Sequence, residues 1–289
     1  MPVYNGEKYI AQTIDSLLAQ TFQDFELIIS DNASTDHTRE ICLSYTSKDE
    51  RVRYARNETN LGAAINYRRA FELSSAEYFR WANSDDLFAP ESLSLCVEAL
   101  DVESSAVLAY PRTKLIDQEG QVISDYDDRL HLQSPQPSER FVRLIQNLRQ
   151  VNVIYGLMRA EALRRTRLIR SFIGGDVVFV AELTLYGTFR EIPEFLFYRR
   201  LHPGALSNHK TIAKQQEFFD PKTKYRPPFT ESRHFLAHFD SVHRAPLDAH
   251  EKMRLYSFLA RSGIWRRREL SHELFQALRQ LFFGVPRIN

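Results

Sequence analysis

Apolar and polar positions along the first hundred residues fall into two alternating periods. Residues 8–20, KYIAQTIDSLLAQ, place Ile10, Ile14, Leu17 and Leu18 on one helical face. Residues 25–30, FELIIS, form a short unbroken apolar run, as in a strand covered on both sides. Residues 34–45, STDHTREICLSY, open with capping residues and continue as a helix. RVRYA (51–55) is the next strand, LGAAINYRRAFELS (61–74) a helix behind a glycine-containing loop, and EYFRWA (77–82) another strand. Pro90 suits the first turn of the helix PESLSLCVEALD. Such alternation predicts a parallel α/β sheet, whose ligands bind beyond the carboxyl ends of the strands.

From about residue 105 the pattern changes. SAVLAYPRTKLIDQEGQVI predicts two strands joined at Gln118-Glu119-Gly120. SERFVRLIQNL is a capped helix, and NVIYGLMRAEALRRT a strand entering a helix. GGDVVFVAELTLYG reads as a helix and TFREIPEFLFYRRL as a strand. Beyond His202-Pro203-Gly204 the chain is polar and reads as irregular to about residue 245, after which two helical stretches close it.

Composition narrows this picture little. The chain has 289 residues, 43% hydrophobic and 26% charged, with a net charge of +1, so no global field draws in nucleic acid. The charge is uneven: Arg261, Arg266, Arg267, Arg268, Arg279 and Arg287 face only Glu269 and Glu273, a local balance of +4. The two cysteines, Cys42 and Cys96, lack metal-type spacing and read as buried thiols. Neither a secretory leader nor an apolar run of membrane-spanning length is visible, so a cytoplasmic location is expected, with contact at the inner membrane face left open.

Three acidic clusters fall at predicted strand ends: Asp31 after FELIIS, Asp85 and Asp86 after EYFRWANS, and Asp176 after two glycines. Each has an ordinary reading as a helix cap or turn residue. Gathered at one crevice, however, they would repel unless a cation joined them. A divalent metal with a diphosphate resolves this, because hard carboxylate oxygens suit Mg²⁺ or Mn²⁺.

With these residues in place, the sequence resembles the family 2 inverting glycosyltransferases, which have the GT-A fold. The likeness runs from Pro2 to about Ser207. It covers PVYNGEKYI through DNASTDHT, then NLGAAINYRRAF, WANSDDLFAP, and GGDVVFVAELTLYG with the strand that follows. Five motifs in order are far more specific than any one. The resemblance implies an α/β, Rossmann-like, mainly parallel sheet flanked by helices. Residues 1–205 would be the catalytic domain, with 1–100 binding the nucleotide-sugar and 101–205 the acceptor; 206–289 would be a linker and helical extension.

The resemblance also implies roles. Tyr4 would line the nucleotide pocket, and Asp31 would accept from the N3–H of uracil, a bond its charge strengthens. Asn60 and Gly62 match the loop over the nucleotide. Asp85 and Asp86 match the metal motif, with Asp86 on the metal and Asp85 shared between ribose and metal; Asn83 stands where relatives often carry Asp. Asp176 matches the catalytic base, worth about 10²–10⁴-fold in rate; Gly175 stands where many relatives carry Glu. His202 matches a histidine near the metal or diphosphate, with a turn residue before Pro203 as the plainer reading. Arg199 and Arg200 are candidate phosphate contacts, one of them facing solvent.

The implied activity is hexosyl transfer from a nucleotide-diphospho-sugar, a UDP-sugar foremost, to a saccharide or lipid-linked acceptor in polysaccharide or glycoconjugate assembly. The rivals are a non-catalytic sugar-nucleotide-binding protein and a nucleotidyltransferase, whose Gly-rich opening loop is not seen. The C-terminal stretches are amphipathic and basic, fit either to lie on an anionic membrane or to pack on the catalytic domain or a second subunit as a homodimer. In this family an apolar strand precedes PVYN. Its absence here reflects a start codon assigned too late, a shortened chain or a true loss of the strand; the first is expected, and restoring the strand is expected to raise stability and nucleotide affinity.

Overall fold

The computed structural model describes residues 1–204, 211–223 and 229–283. Ser207, where the likeness was expected to end, and Arg287 of the basic tail lie outside these. The amino-terminal half contains β1 (Pro2–Val3), α1 (Ile10–Leu18), β2 (Leu27–Asp31), α2 (Thr38–Thr46), β3 (Val52–Arg56), α3 (Ala63–Glu72), β4 (Tyr78–Phe79), β5 (Leu87–Phe88) and α4 (Ser92–Val102). The order continues with β6 (Ala106–Ile116), β7 (Val122–Tyr126), α5 (Pro137–Asn147), β8 (Leu157–Arg159), α6 (Ala160–Arg165), α7 (Gly175–Leu183) and β9 (Thr188–Arg200). Among the described residues α8 (Ile212–Phe219), α9 (Thr230–Arg244), α10 (Ala249–Trp265) and α11 (Arg267–Phe283) follow.

All five residues of β2 are buried, as its unbroken apolar run requires. It lies between β1 and β3 in a parallel three-stranded sheet, in a register that sets Asp31 opposite Arg56. Ile10, Ile14 and Leu17 of α1 pack with Val3, Leu27, Ile29 and Val52 in one apolar cluster. On the helix side, Asn66 of α3 pins the sheet: its amide donates to the Ser30 carbonyl at 2.8 Å and its oxygen accepts the Ser30 hydroxyl at 2.7 Å. The Met1 amine donates to the Ile28 carbonyl at 2.6 Å, and burial pushes it down to about 5.

The second sheet runs β4-β8-β6-β9-β5, with β7 paired to β6. Here β6 and β9 are parallel and the other pairs antiparallel. Trp81, edge-on to both Phe79 and Phe179, anchors its core, and its indole N–H donates to the Tyr67 carbonyl at 2.9 Å. Both cysteines are free and buried.

The stretch read as irregular is different in the structure. It contains α8 and the fifteen-residue α9. The buried stripe of α9 is Ala237, His238, Ser241 and Val242, a helical spacing carried by small and polar residues. Tertiary burial makes that helix, which an apolar pattern alone does not announce. Val242 and Ala245, at the end of α9, and Leu255 and Leu259 of α10 belong to the same cluster as Trp81 and Phe179. The Glu251 carboxylate of α10 accepts from the Ser138 N–H at 2.7 Å and hydroxyl at 3.0 Å, capping α5.

Candidate active site

The carboxyl end of β1, the loop after β4, the start of α7, the end of β9 and one side of α8 enclose a cleft of about 1130 Å³. It gathers eight of the candidate site residues named above: Tyr4, Asn60, Asp85, Asp86, Asp176, Arg199, Arg200 and His202. Residues that are 172 positions apart in sequence, from Tyr4 to Asp176, thus share one cavity. Asp31 and Gly62 do not line it. The Asp31 carboxylate is wholly buried and engaged by Arg56 at 2.8 Å, the Tyr54 hydroxyl at 2.5 Å and the Ser34 N–H at 2.8 Å. Its neighbour Asn32 reaches the cleft instead, with its amide donating to Asn60 at 2.8 Å. Gly62 has φ +84°, and a Cβ there would fall 2.5 Å from the Phe219 carbonyl, so the close approach it permits is to α8.

On the acidic side, Asp86 accepts the Arg200 N–H at 2.8 Å and is within 3.3 Å of the Asn83 amide. Burial, and then the neighbouring charge of Asp85, push its carboxyl up to about 8. Asp85 meets the His202 imidazole at 2.8 Å. The two arginines of β9 part ways. Arg200 is buried, with its guanidinium engaged by the carbonyls of Asp85 and Gln118 and the side chain of Gln12, and lies 4.6 Å over the Tyr9 ring. Arg199 enters the cleft, held by Asn152 at 2.6 Å and Gln150 at 3.0 Å. Arg200 is thus buried and Arg199 half-buried at the cleft. Behind Arg199 lies Asp128, 5% exposed, with one oxygen 3.5 Å from the Thr113 hydroxyl and the other unpartnered. Burial pushes it up to about 7.

Asp176 stands in the first turn of α7, accepting the Val177 N–H at 3.0 Å. Burial raises its carboxyl above the usual range, opposed by the helix N–H groups and the nearby charges of His234 and Arg199. Gly175, just before Asp176, has a packing reason: a Cβ there would lie 2.1 Å from the Arg170 carbonyl oxygen.

Sequence reasoning missed several lining residues. The Tyr67 hydroxyl donates to the Asn83 oxygen, while the Asn83 amide donates to the Tyr155 hydroxyl at 2.6 Å. Burial raises both phenols well above their ordinary range. The unusual Asn at position 83 was the one available signal for this pair. Lys214 and Phe218 of α8 also line the cleft.

Among the described residues, no group of three or more His, Cys, Asp or Glu side chains is arranged to hold a metal ion by itself. Mg²⁺ and Mn²⁺ sites on diphosphates commonly use only one or two carboxylates, the phosphates supplying the rest. Two adjacent carboxylates, one of them buried enough to resist ionising, fit that kind of cation.

Residues 1–167 match the family model described as Glycosyl transferase family 2. An uncharacterized glycosyltransferase of Rickettsia typhi is 35% identical over 119 residues, 41% of this chain and 36% of that protein. The putative teichuronic acid biosynthesis glycosyltransferase TuaG of Bacillus subtilis is 34% identical over 119 residues, 41% of this chain and 47% of its own length. The match thus spans less than half of each relative. Among solved structures, S. aureus TarS 1-349 in complex with UDP-GlcNAc superposes with a TM-score of 0.63 at 21% identity, covering 99% of this chain and 80% of that one. That likeness establishes the α/β GT-A fold.

Proposed function

The chain belongs to glycosyl transferase family 2, and on that premise we propose that it transfers a hexosyl group from a UDP-sugar to an acceptor hydroxyl with inversion at the anomeric carbon. The observation that carries this reading is the meeting of Asp85, Asp86 and Asp176 with Arg199 in one cleft. Tyr4, Asn32 and Asn60 would line the nucleotide end. Asp86 and Asp85 would hold Mg²⁺ or Mn²⁺, with the His202 imidazole bonded to Asp85 beside them, and the ion when bound would neutralise the departing diphosphate. Arg199 offers a planar fork to the same phosphates. Asp176, its proton affinity raised by burial, accepts the acceptor's hydroxyl proton. The acceptor oxygen bonds to the anomeric carbon from the face opposite the diphosphate, and the breaking C–O bond leaves its electron pair on the nucleoside diphosphate.

Incubation with Mn²⁺ and a panel of UDP-, GDP- and dTDP-sugars, with and without saccharide acceptors, tests this by nucleotide release. UDP release with Asp176→Asn inactive but still binding UDP is the expected result. An Asp176→Asn protein that transfers at the wild-type rate refutes the base assignment. A protein that binds UDP-sugars and turns none over is the non-catalytic binder.

An acceptor in polysaccharide assembly can be lipid-linked, and α11 suits a surface role. Leu274, Phe275 and Leu278 are exposed on it beside Arg267, Arg268 and Arg279, and Trp265 just before it is 84% exposed. No described helix is long and apolar enough to cross a membrane, but a basic, aromatic-bearing face fits an anionic bilayer surface. Cosedimentation with phosphatidylglycerol vesicles, lost on Phe275→Glu and absent with phosphatidylcholine alone, is expected. Concentration-dependent dimerisation lost on the same substitution, without vesicle binding, would assign the face to a second copy instead.

A further inference from the structure

The helix α9 lies beyond the family match, yet it reaches the turn that carries Asp176. His234 Nε2 is 2.8 Å from the Ile173 carbonyl oxygen. A carbonyl only accepts, so Nε2 carries the proton. The imidazole covers Gly174, where an added Cβ would fall 2.4 Å from Nε2 and 2.5 Å from Cε1, and Gly174 adopts φ +79°. Phe172, on the same turn, lies 5.8 Å from the imidazole, centroid to centroid. A second link from α9 holds the other end of the turn: Asp240 accepts from Arg170 at 2.6 Å. Within the turn, Phe172 N–H donates to the Arg170 carbonyl and Gly175 N–H to the Phe172 carbonyl, each at 2.9 Å. The segment 170–175 is therefore fastened at both ends to one helix, immediately before the first turn of α7. His238, one turn along α9, packs edge-on to Phe141 at 5.5 Å and fixes the helix in the core.

We infer that His234 is a positioning residue: through its N–H bond to the Ile173 carbonyl, α9 sets where the Asp176 carboxylate stands in the cleft. This rests on the reading of Asp176 as the base. The C-terminal extension is then part of the catalytic apparatus. Displacement of a reacting group by about 1 Å costs on the order of 10²-fold in rate, so a slack turn is felt in kcat. No described residue of α9 lines the cleft, so its nucleotide end, built from β1 and the loops after β2 and β3, should not feel the change.

The test compares His234→Phe, which fills the space without a donor, with His234→Gln, whose amide N–H can reach the same carbonyl, and with His234→Ala. Each is assayed for kcat, donor KM, UDP affinity and thermal midpoint, alongside Asp176→Asn. We expect His234→Phe and His234→Ala to lose about tenfold or more in kcat, with donor KM and UDP affinity within twofold of wild type, and His234→Gln to recover most of the loss. Wild-type kcat in His234→Phe, or equal losses in the Phe and Gln variants, overturns the inference while Asp176→Asn remains inactive. Should Asp176→Asn itself stay active, the base assignment falls, and this inference with it.

Discussion

Replacing Asp128 by Asn is a sharp test of the electrostatics behind the cleft. The wild-type carboxyl is 5% exposed and pushed up to about 7, chiefly by burial, against about 3.9 for a free aspartate. Between those two values the folded protein holds a proton that the unfolded chain releases. Folding therefore becomes less favourable as pH rises through this window, and the penalty levels off above pH 7. Three units correspond to a ceiling of about 4 kcal/mol, of which roughly 1 is already felt at pH 4.5. Asn keeps the shape and carries no charge, so it escapes the penalty at every pH. Urea midpoints of the two proteins, taken from pH 4.5 to 8.5, should show the stability of Asp128→Asn gaining on wild type by about 3 kcal/mol and then holding steady. A gap that is flat with pH, or that moves in favour of wild type, would mean that Asp128 is ionised and paired with Arg199, and that the burial argument is wrong.

Three other outcomes follow from the same geometry. Gly175→Glu should cost about 3 kcal/mol or more and reduce activity, because its Cβ meets the Arg170 carbonyl; a thermal midpoint at or above wild type contradicts this. Arg199→Lys keeps the charge but loses the fork held by Asn152 and Gln150, and should lower kcat/KM for the donor by about tenfold or more while leaving the thermal midpoint within a few degrees. Asn83→Ala leaves the buried hydroxyls of Tyr67 and Tyr155 without their shared partner, and should lower unfolding stability by about 1–3 kcal/mol, read from urea titration.

Much of the framework was legible in the amino-acid order. The apolar run of β2 and the stripe Ile10, Ile14, Leu17 appear where the periodicity puts them, because both are buried by neighbours close in sequence. Asp85, Asp86 and Asp176 were found as strand-end and helix-start acids, and the fold brings them together. Other features depend on registers that no short motif encodes. That Asp31 is engaged by Arg56 follows from the pairing of β2 with β3, and only there do the two side chains stand opposite each other. The buried stripe of α9 consists of alanine, histidine, serine and valine, residues whose burial is decided by α7, α5 and α10 rather than by their own pattern. Tyr155 reaches Asn83 from a short 3₁₀ turn, Asn152–Tyr155, across 72 positions, a contact that no local signal announces.

Consecutive side chains on a strand point to opposite sides, and the end of β9 exploits this parity. Arg199 is held over the cleft by Asn152 and Gln150, while Arg200, at the edge of the same cleft, rivets the turn at 117–118 to the Asp85 backbone. A slip of β9 by a single position would exchange the two settings, freeing the rivet and locking its neighbour into the frame. Two identical neighbours thus do unlike work, and an alanine scan that treated them as one basic patch would blend a binding defect with a folding defect.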